Sequence, residues 1–416
     1  MTRLDDDNPK TFACRYPAGG CNVPDPKAGI ALSGGGSLGA FTAGIVHAAY
    51  SRFLDAGRLP RVSVVSGTST GSLVAGMLVN LYGRFRLGED PRRALDDLRK
   101  VYTETTQDQV GKRPKTIFGT AFNLVTKRGV MDIEPLRELV EKHYSHRHFA
   151  AALDGPDAVV YSADVINMKT GLPVRYKSDD GHSKATMIDA IFASCAQPVV
   201  MTPAYIGDDW VVDGGIREVI PFRASLYAGC THVLAVALNE PRIDPDPKMT
   251  PRNQDVLARI ARGLSVMNDE VARDDERMAR LVAYINRAKD ELLRRGVARA
   301  DVDAAFGDGP LPHSDKPLKG REHDAYDDQA YNAARLRELV LFRFEQRHDL
   351  PSAEVFDPVE MSKLFDQGVK LAQVHMEWIE RSLFAAGDFR RRHTTIAPQP
   401  SAASTPAAND AEPVRV

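Results

Sequence analysis

The segment VVSGTSTGSLVAGMLVN, Val64 to Asn80, decides the fold because a β-branched run ends in it and a helical pattern begins. One serine, Ser69, lies at this junction between Gly67 and Gly71. Glycine at both positions allows a turn that is too tight for most side chains. The segment therefore predicts a strand, a sharp turn that presents Ser69, and a helix.

The same order of elements precedes this segment. Ala28 to Leu32, AGIAL, is typical of a buried strand, and the glycine-rich run SGGGSLG follows it. A helical pattern extends from about Ala40 to Leu54, and Val62 to Val65 forms the next strand-like run. This succession predicts a parallel α/β sheet, because it consists of a strand, a glycine-rich turn and a helix, followed by a strand, a tight turn and a helix.

The rest of the chain continues this mixture of elements. We predict further strands at 158–165, 210–212, 232–238 and 340–344, and helices at 133–145, 185–196, 254–295 and 358–384. Residues 1–27 are rich in Pro, Gly and Asp and are expected to be irregular, whereas 386–416 are expected to be a disordered tail. One domain would then span 28–385, in which 254–335 form either a cover over the site or an ordinary packed helical layer.

Composition excludes several classes of protein. The chain has 416 residues, of which 43% are hydrophobic and 26% charged, and this is enough for a sizeable core. A net charge of −2 gives no overall basic field for nucleic acid, and four cysteines are too few for a disulfide scaffold. Cys14 and Cys21 have a spacing that matches no common zinc site, and Cys195 and Cys230 are expected to be buried. No metal site and no cofactor are predicted.

The N-terminal residues MTRLDDDNPK are acidic and polar and lack the basic start and apolar run of a secretory signal. No apolar stretch approaches the roughly 18 residues that span a bilayer. We therefore expect a cytoplasmic protein, with peripheral attachment to membranes compatible with this sequence.

Residues Gly67 to Gly71, GTSTG, fit G-x-S-x-G, the turn on which many hydrolases present a nucleophilic serine. The helix that follows would direct its N-terminal amides and its positive dipole end at a developing oxyanion. The three fixed residues of the G-x-S-x-G pattern match by chance in about one of 3,000 five-residue segments. A glycine-rich turn without chemistry therefore remains an alternative, which the strand before and the helix after disfavour.

A serine nucleophile needs a base. None of the histidines after Ser69 lies in a sharp turn after a late strand, which directs the search to a carboxylate. Asp213 ends the apolar run WVVD and is followed by Gly214 and Gly215. Burial could raise the pKa of such a carboxylate until it accepts the serine proton directly. An ordinary Asp-Gly turn is the alternative.

The glycine run after the first strand supplies a third candidate element. Successive amides at Gly34, Gly35, Gly36 and Gly39 could form a concavity that holds an oxyanion. The same glycines satisfy the G-x-G-x-x-G dinucleotide pattern. That pattern requires an acidic residue at the end of the second strand, and Asp55 precedes this strand instead. Dinucleotide binding is therefore disfavoured.

Three motifs follow one another along the chain: GGGSLG, GTSTG and DGG, with ASCAQPVVMTPAYI before the last. In this order they resemble the patatin-like phospholipase family over residues 28–240, and the resemblance continues more faintly to 385. The resemblance implies a three-layer α/β/α fold with a mainly parallel central sheet and added helices. It also implies a Ser69–Asp213 dyad without histidine, an acyl-enzyme intermediate, and oxyanion-binding amides around Gly35 and Gly36. Many relatives carry Arg or Lys at the position of Leu38, so the head-group preference is open.

The resemblance thus predicts a phospholipase A-like lipid acyl hydrolase that acts on a lipid or membrane-surface substrate and not on nucleic acid. Two alternatives stay open at this stage. One is an esterase or thioesterase of soluble substrates, and the other is a non-catalytic binding module that has kept the fold. The head group, the sn position, the acyl chain length, the oligomeric state and any activating partner are not specified by these motifs.

Overall fold

The computed structural model describes residues 11–16, 25–112, 131–155, 157–177, 184–198, 200–239, 256–306, 335–344 and 355–389, and all structural statements concern these ranges. The predicted disordered tail lies outside them from residue 390 onward.

The described residues form one mixed sheet. In chain order its strands are β1 (Thr11–Tyr16), β2 (Ala28–Leu32), β3 (Val62–Gly67), β4 (Val160–Asn167), β5 (Pro173–Lys177), β6 (Ala204–Ile206), β7 (Asp209–Asp213), β8 (His232–Ala237) and β9 (Glu338–Phe344). Their order across the sheet is β1-β9-β8-β2-β3-β4-β7-β6, and β5 also pairs with β4. The five central strands from β9 to β4 are parallel, whereas β1, β5, β6 and β7 pair in antiparallel fashion.

Helices surround this sheet. They are α1 (Gly39–Asp55), α2 (Thr70–Arg86), α3 (Arg92–Thr103), α4 (Gln107–Val110), α5 (Glu134–His143), α6 (His146–Leu153), α7 (Lys184–Ser194), α8 (Phe222–Tyr227), α9 (Val256–Arg294), α10 (Arg299–Phe306), α11 (Pro358–Val374) and α12 (Met376–Leu383). None of the helices in these ranges combines the length and the apolarity that crossing a bilayer requires.

Two hydrophobic cores, one on each face of the sheet, make the fold three-layered. The larger core joins α1, α2, α3, α7 and α11 to the sheet through side chains such as Phe41, Leu78 and Phe365. The smaller core joins α8 and α9 to the other face through Phe222, Ala279 and others. The α/β/α fold with a mainly parallel sheet, as expected from the motifs, is confirmed.

Strand register brings the sequence motifs together. Leu32 at the end of β2 lies opposite Gly67 at the end of β3. Because parallel strands end at the same edge of a sheet, the glycine run after β2 meets the serine turn after β3. Gly67 in turn lies opposite Ala163 of β4, and Asp213 at the end of β7 lies opposite Val165 of β4. The Asp213 turn therefore reaches the same edge from across β4.

The long apolar stripe at 254–295 forms one continuous helix, α9, of 39 residues. At 1.5 Å per residue it is about 58 Å long. It buries Ala272, Ala279 and Ala283 on the smaller core. Asp275 of α9 accepts hydrogen bonds from the amides of Val219 and Ile220, which follow the Asp213 turn, at 2.8 and 3.0 Å. The helix thus supports this turn from the face of the sheet opposite to the larger core.

Two elements differ from the sequence prediction. Residues 11–16, expected to be irregular, form β1, which pairs with β9 from Thr11↔Phe344 to Tyr16↔Leu339. The final helix, expected to run from Pro358 to Phe384 without interruption, is divided into α11 and α12 at His375. The His375 ring packs against Trp378 and Phe342, with centroids at 4.5 and 6.0 Å, so packing on β9 accounts for the break.

Candidate active site

Ser69 lies on a strained turn between β3 and α2. Its φ of +52° and ψ of −126° are values that non-glycine residues rarely adopt. A Cβ at Gly67 would lie 2.2 Å from the Gly71 carbonyl oxygen, and one at Gly71 would lie 2.1 Å from that of Leu32. The two glycines are thus required by close backbone approach, in agreement with the interpretation of the motif.

Two other serine hydroxyls hold the backbone of Ser69. The Ser69 amide donates to Ser194 Oγ at 2.9 Å, and the Ser194 hydroxyl donates to the Asp164 carbonyl oxygen at 2.9 Å. The Ser72 hydroxyl donates to the Ser69 carbonyl oxygen at 2.7 Å. Because Ser194 is completely buried, its hydroxyl ties the strained turn to the backbone of β4.

Asp213 lies beside this turn in a buried position. Its Oδ1 accepts a hydrogen bond from the Gly215 amide at 2.8 Å, and its backbone amide donates to Ala196 at 2.9 Å. Burial raises the pKa of Asp213 to about 6, although hydrogen bonds from Gly215 and from the Ser69 side chain favour the charged form. The pair thus combines a hydroxyl with a carboxylate that is largely ionised at neutral pH and is still basic enough to accept a proton.

A second buried acidic group lies behind the Asp213 turn. Arg175 pairs with Asp164 at 3.3 Å and with Glu218 at 2.6 Å. A Cβ at Gly214 would lie 2.5 Å from the Asp164 carbonyl oxygen, and the Thr68 hydroxyl donates to the Glu218 carbonyl oxygen at 3.1 Å. The backbones of these ion-paired residues therefore support both the Asp213 turn and the Ser69 turn.

The four candidate glycines of the first loop have different roles. The Gly34 amide donates to the Val219 carbonyl oxygen at 3.2 Å, and the Gly39 amide donates back to Gly36 and Ser37. Those two amides are therefore already engaged, which corrects the expectation that all four could hold an anion. Within the described ranges the amides of Gly35 and Gly36 have no acceptor, so they remain the candidates for binding an oxyanion.

A further amide at the site belongs to Thr70, the first residue of α2. The amides of Gly71 and Ser72 donate back to Thr68 and Ser69, but that of Thr70 meets no acceptor in the described part of the chain. The residue after a nucleophilic serine commonly contributes to an oxyanion hole. Sequence reasoning missed Thr70 as an individual donor, although its position after Ser69 was a sufficient signal.

An apolar cleft of about 490 Å³, counting the part open to solvent, borders Gly36, Ser69 and Thr70. Its other walls come from α2, α3, α5 and the segments before β6 and α11, with side chains such as Leu73, Val101, Leu136, Leu139, Met201 and Phe356. No residue of α9 and no histidine contributes to this lining within the described ranges. Leu38 is buried in the larger core.

Among the described residues, neither a histidine base nor a metal site is indicated at the cleft beside Ser69. His148 pairs with Glu89 at 2.9 Å, and His375 packs against aromatic rings. No group of three or more His, Cys, Asp or Glu side chains in the described ranges is placed to hold a metal ion. Cys195 and Cys230 are buried free thiols, as expected. Five further histidines, at 182, 313, 323, 348 and 393, lie outside the described residues.

One known protein family matches about half of this chain. The sequence model described as patatin-like phospholipase matches residues 30–226. Among solved structures, the crystal structure of VipD from Legionella pneumophila is similar at 14% identity and a TM-score of 0.28, over 86% of this chain and 76% of that one. No curated protein matches the chain.

Proposed function

We propose that this protein cleaves carboxylic esters of lipids in the manner of a phospholipase A, because residues 30–226 match the patatin-like phospholipase model, a family that implies lipid acyl hydrolase activity. Ser69 is the proposed nucleophile and Asp213 the proposed general base. The observation that carries the proposal is the buried Asp213 carboxylate, whose raised pKa the nearby Ser69 side chain partly lowers, at a turn that borders an apolar cleft.

The proposed reaction has two halves. Asp213 accepts the proton of the Ser69 hydroxyl while Oγ attacks the ester carbonyl, and the amides of Gly35, Gly36 and Thr70 bind the oxyanion. The tetrahedral intermediate collapses, Asp213 returns the proton to the leaving alcohol, and an acyl-enzyme remains. Water, deprotonated by Asp213, then attacks the acyl carbonyl, the bond to Ser69 Oγ breaks, and Asp213 returns the proton to Oγ as the fatty acid is released.

The pKa of Asp213 is suited to a reaction without histidine. An exposed aspartate is a weak base at neutral pH because its pKa is near 4. With the pKa raised to about 6 by burial, Asp213 is about 90% ionised at pH 7 and yet accepts a proton far more readily. One buried carboxylate can therefore act as the general base, which is the role of histidine in the Ser-His-Asp catalytic triad.

The lining of the cleft supports an acyl chain as the group bound next to Ser69. Aliphatic and aromatic side chains form most of its surface, and the polar residues in its lining carry hydroxyl groups: Ser69, Thr70, Tyr102 and Thr105. Burial of each methylene stabilises binding by about 0.8 kcal/mol. A long-chain ester is therefore expected to be a better substrate than a short soluble ester with the same leaving group.

Labelling with a fluorophosphonate, together with release of fatty acid from phosphatidylcholine vesicles, tests the proposal. Wild-type protein should be labelled and should release fatty acid, and Ser69→Ala should abolish both. Ser63→Ala, a serine on the same strand β3 and away from the cleft, is the matched control and should retain both. Labelling that persists in Ser69→Ala would exclude Ser69 as nucleophile, and hydrolysis of short soluble esters alone would exclude the lipid assignment.

A further inference from the structure

The side chain of Tyr102, at the end of α3, makes two hydrogen bonds to one residue of the site, Thr70. Its hydroxyl donates to the Thr70 carbonyl oxygen at 3.0 Å and lies 2.7 Å from Thr70 Oγ1. Since the single Tyr102 proton goes to the carbonyl, the Thr70 hydroxyl must donate the second bond. Both side chains are almost fully buried, so water does not compete for these bonds.

Thr70 connects Tyr102 to the candidate oxyanion-binding amides. It follows Ser69, it begins α2, and its amide lacks an acceptor in the part of the chain described. Its side chain also packs against the end of the glycine loop, because a Cβ at Gly39 would lie 2.0 Å from Thr70 Oγ1. The orientation of Thr70 thus fixes its own amide and limits how the loop that carries Gly36 can lie.

Tyr102 also borders the apolar cleft together with Ser69 and Gly36. One side chain therefore touches both the wall that would meet an acyl chain and the residue that would bind the oxyanion. Its two parts are separable by mutation, because the ring contributes the wall and the hydroxyl contributes both hydrogen bonds to Thr70.

We propose that Tyr102 is a positioning residue, whose hydroxyl fixes the Thr70 amide in the orientation that binds the oxyanion. The inference rests on the proposed acyl hydrolase function, in which that amide acts. It assigns no contact between the Tyr102 hydroxyl and the substrate. Loss of the hydroxyl should therefore weaken binding of the transition state and leave binding of the ground-state ester unchanged.

Tyr102→Phe is the direct test, because it keeps the ring in the cleft wall and removes both hydrogen bonds. Loss of one oxyanion donor typically lowers kcat by about 10²–10³-fold. Displacement of a donor that remains present should have a smaller effect, so we expect kcat to fall about tenfold or more, with KM unchanged. The rate of fluorophosphonate labelling should fall by a similar factor, since that reaction also develops charge on the oxygen that the amide binds.

Tyr50→Phe is the matched control for the stability cost of a lost buried hydroxyl. Tyr50 is as buried as Tyr102, and its hydroxyl lies 3.1 Å from that of Tyr82, which donates to Pro60. Tyr50 contributes nothing to the cleft. Its variant should lose a similar amount of stability in urea unfolding and should keep kcat within about twofold of wild type.

Thr70→Val provides a second test that does not depend on the folding of the tyrosine variant. It preserves the branched shape, removes the hydroxyl that donates to Tyr102, and should lower kcat with KM unchanged. In the double variant with Tyr102→Phe the two effects should be less than additive, because they break the same interaction. Additive losses would overturn the assignment, and so would a loss confined to KM.

Failure of the inference is distinguishable from failure of the proposed function. If wild type is active, Ser69→Ala is inactive, and Tyr102→Phe behaves like Tyr50→Phe, the positioning role is wrong and the hydrolase proposal stands. If activity or labelling persists in Ser69→Ala, the proposed function fails and the inference fails with it.

Discussion

Replacement of Asp213 by Asn should abolish activity and stabilise the protein at alkaline pH. The carboxylate is buried, and its pKa is raised from 3.8 to about 6, chiefly by burial. In the folded protein the charged form is therefore disfavoured relative to the unfolded chain, where Asp213 ionises freely. Asparagine has nearly the same shape, and its side-chain oxygen can still accept the hydrogen bond from the Gly215 amide.

The size of the effect follows from the pKa difference and depends on pH. A carboxylate with a raised pKa binds more protons in the folded state, so its contribution to stability is present at low pH and is lost as pH rises through the folded pKa. A shift from 3.8 to about 6 corresponds to about 3 kcal/mol once the group is ionised in both states. Asp213→Asn should thus raise the free energy of unfolding by up to about 3 kcal/mol at pH 8 and by about 0.6 kcal/mol at pH 4.

Urea unfolding at both pH values, followed by tryptophan fluorescence, measures this difference. Trp210 lies on the same strand as Asp213 and serves as a local reporter. Asp208→Asn, which changes an exposed aspartate in the turn before β7, is the matched control and should show no gain. An equal gain at pH 4 and pH 8, or a loss at pH 8, would refute the argument that Asp213 is held in an unfavourable charged state.

The same ionisation should govern the rate. Because the proposed base must be deprotonated, kcat/KM of wild type should fall as pH decreases through about 6, approaching a tenfold decrease per pH unit below it. Asp213→Asn should be inactive throughout this range. A rate that is constant between pH 5 and pH 8 would contradict both the pKa and the role assigned to Asp213.

Two further variants test the turn itself. Gly71→Ala places a Cβ 2.1 Å from the Leu32 carbonyl oxygen, so it should destabilise the protein by about 2–4 kcal/mol and lower activity at least hundredfold. Gly263→Ala, in open space on α9, should reduce neither stability nor activity. Ser194→Ala removes the acceptor of the Ser69 amide and should lower kcat about tenfold at unchanged KM. Ser382→Ala, which changes an equally buried serine, is the control. Equal kinetics of these two variants would exclude a positioning role for Ser194.

Local sequence patterns were sufficient for the centre of the fold. The strand-like runs predicted at 28–32 and 62–65, each followed by glycines and a helical pattern, correspond to β2 and β3 and their helices. A buried parallel strand is hydrophobic along its whole length, and a following glycine turn marks its end. These signals are contained in short segments, and for this reason they could be interpreted without the rest of the chain.

Elements defined by distant partners could not be predicted in the same way. Residues Thr11–Tyr16 form a strand through pairing with β9, which lies more than three hundred positions along the chain. Tyr102 is similar, since no local pattern indicates that the end of α3 bonds to Thr70. The proximity of Ser69 and Asp213 was expected from the resemblance to a family, and spacing alone would not have predicted it.

The groups around the turn imply that stability and activity have different pH optima. Burial raises the pKa of Asp213, Asp164 and Asp275, so each of them favours the folded state more at mildly acidic than at alkaline pH. Glu218 opposes this trend, because Arg175 and Arg223 outweigh its burial and hold its pKa below the ordinary value. Each of the three raised carboxylates stabilises the fold less as pH rises, and Asp213 does so over the interval in which the proposed base ionises. The proposed base would therefore act in the ionisation state in which it stabilises the fold less, and behind its turn Arg175 pairs with both Asp164 and Glu218.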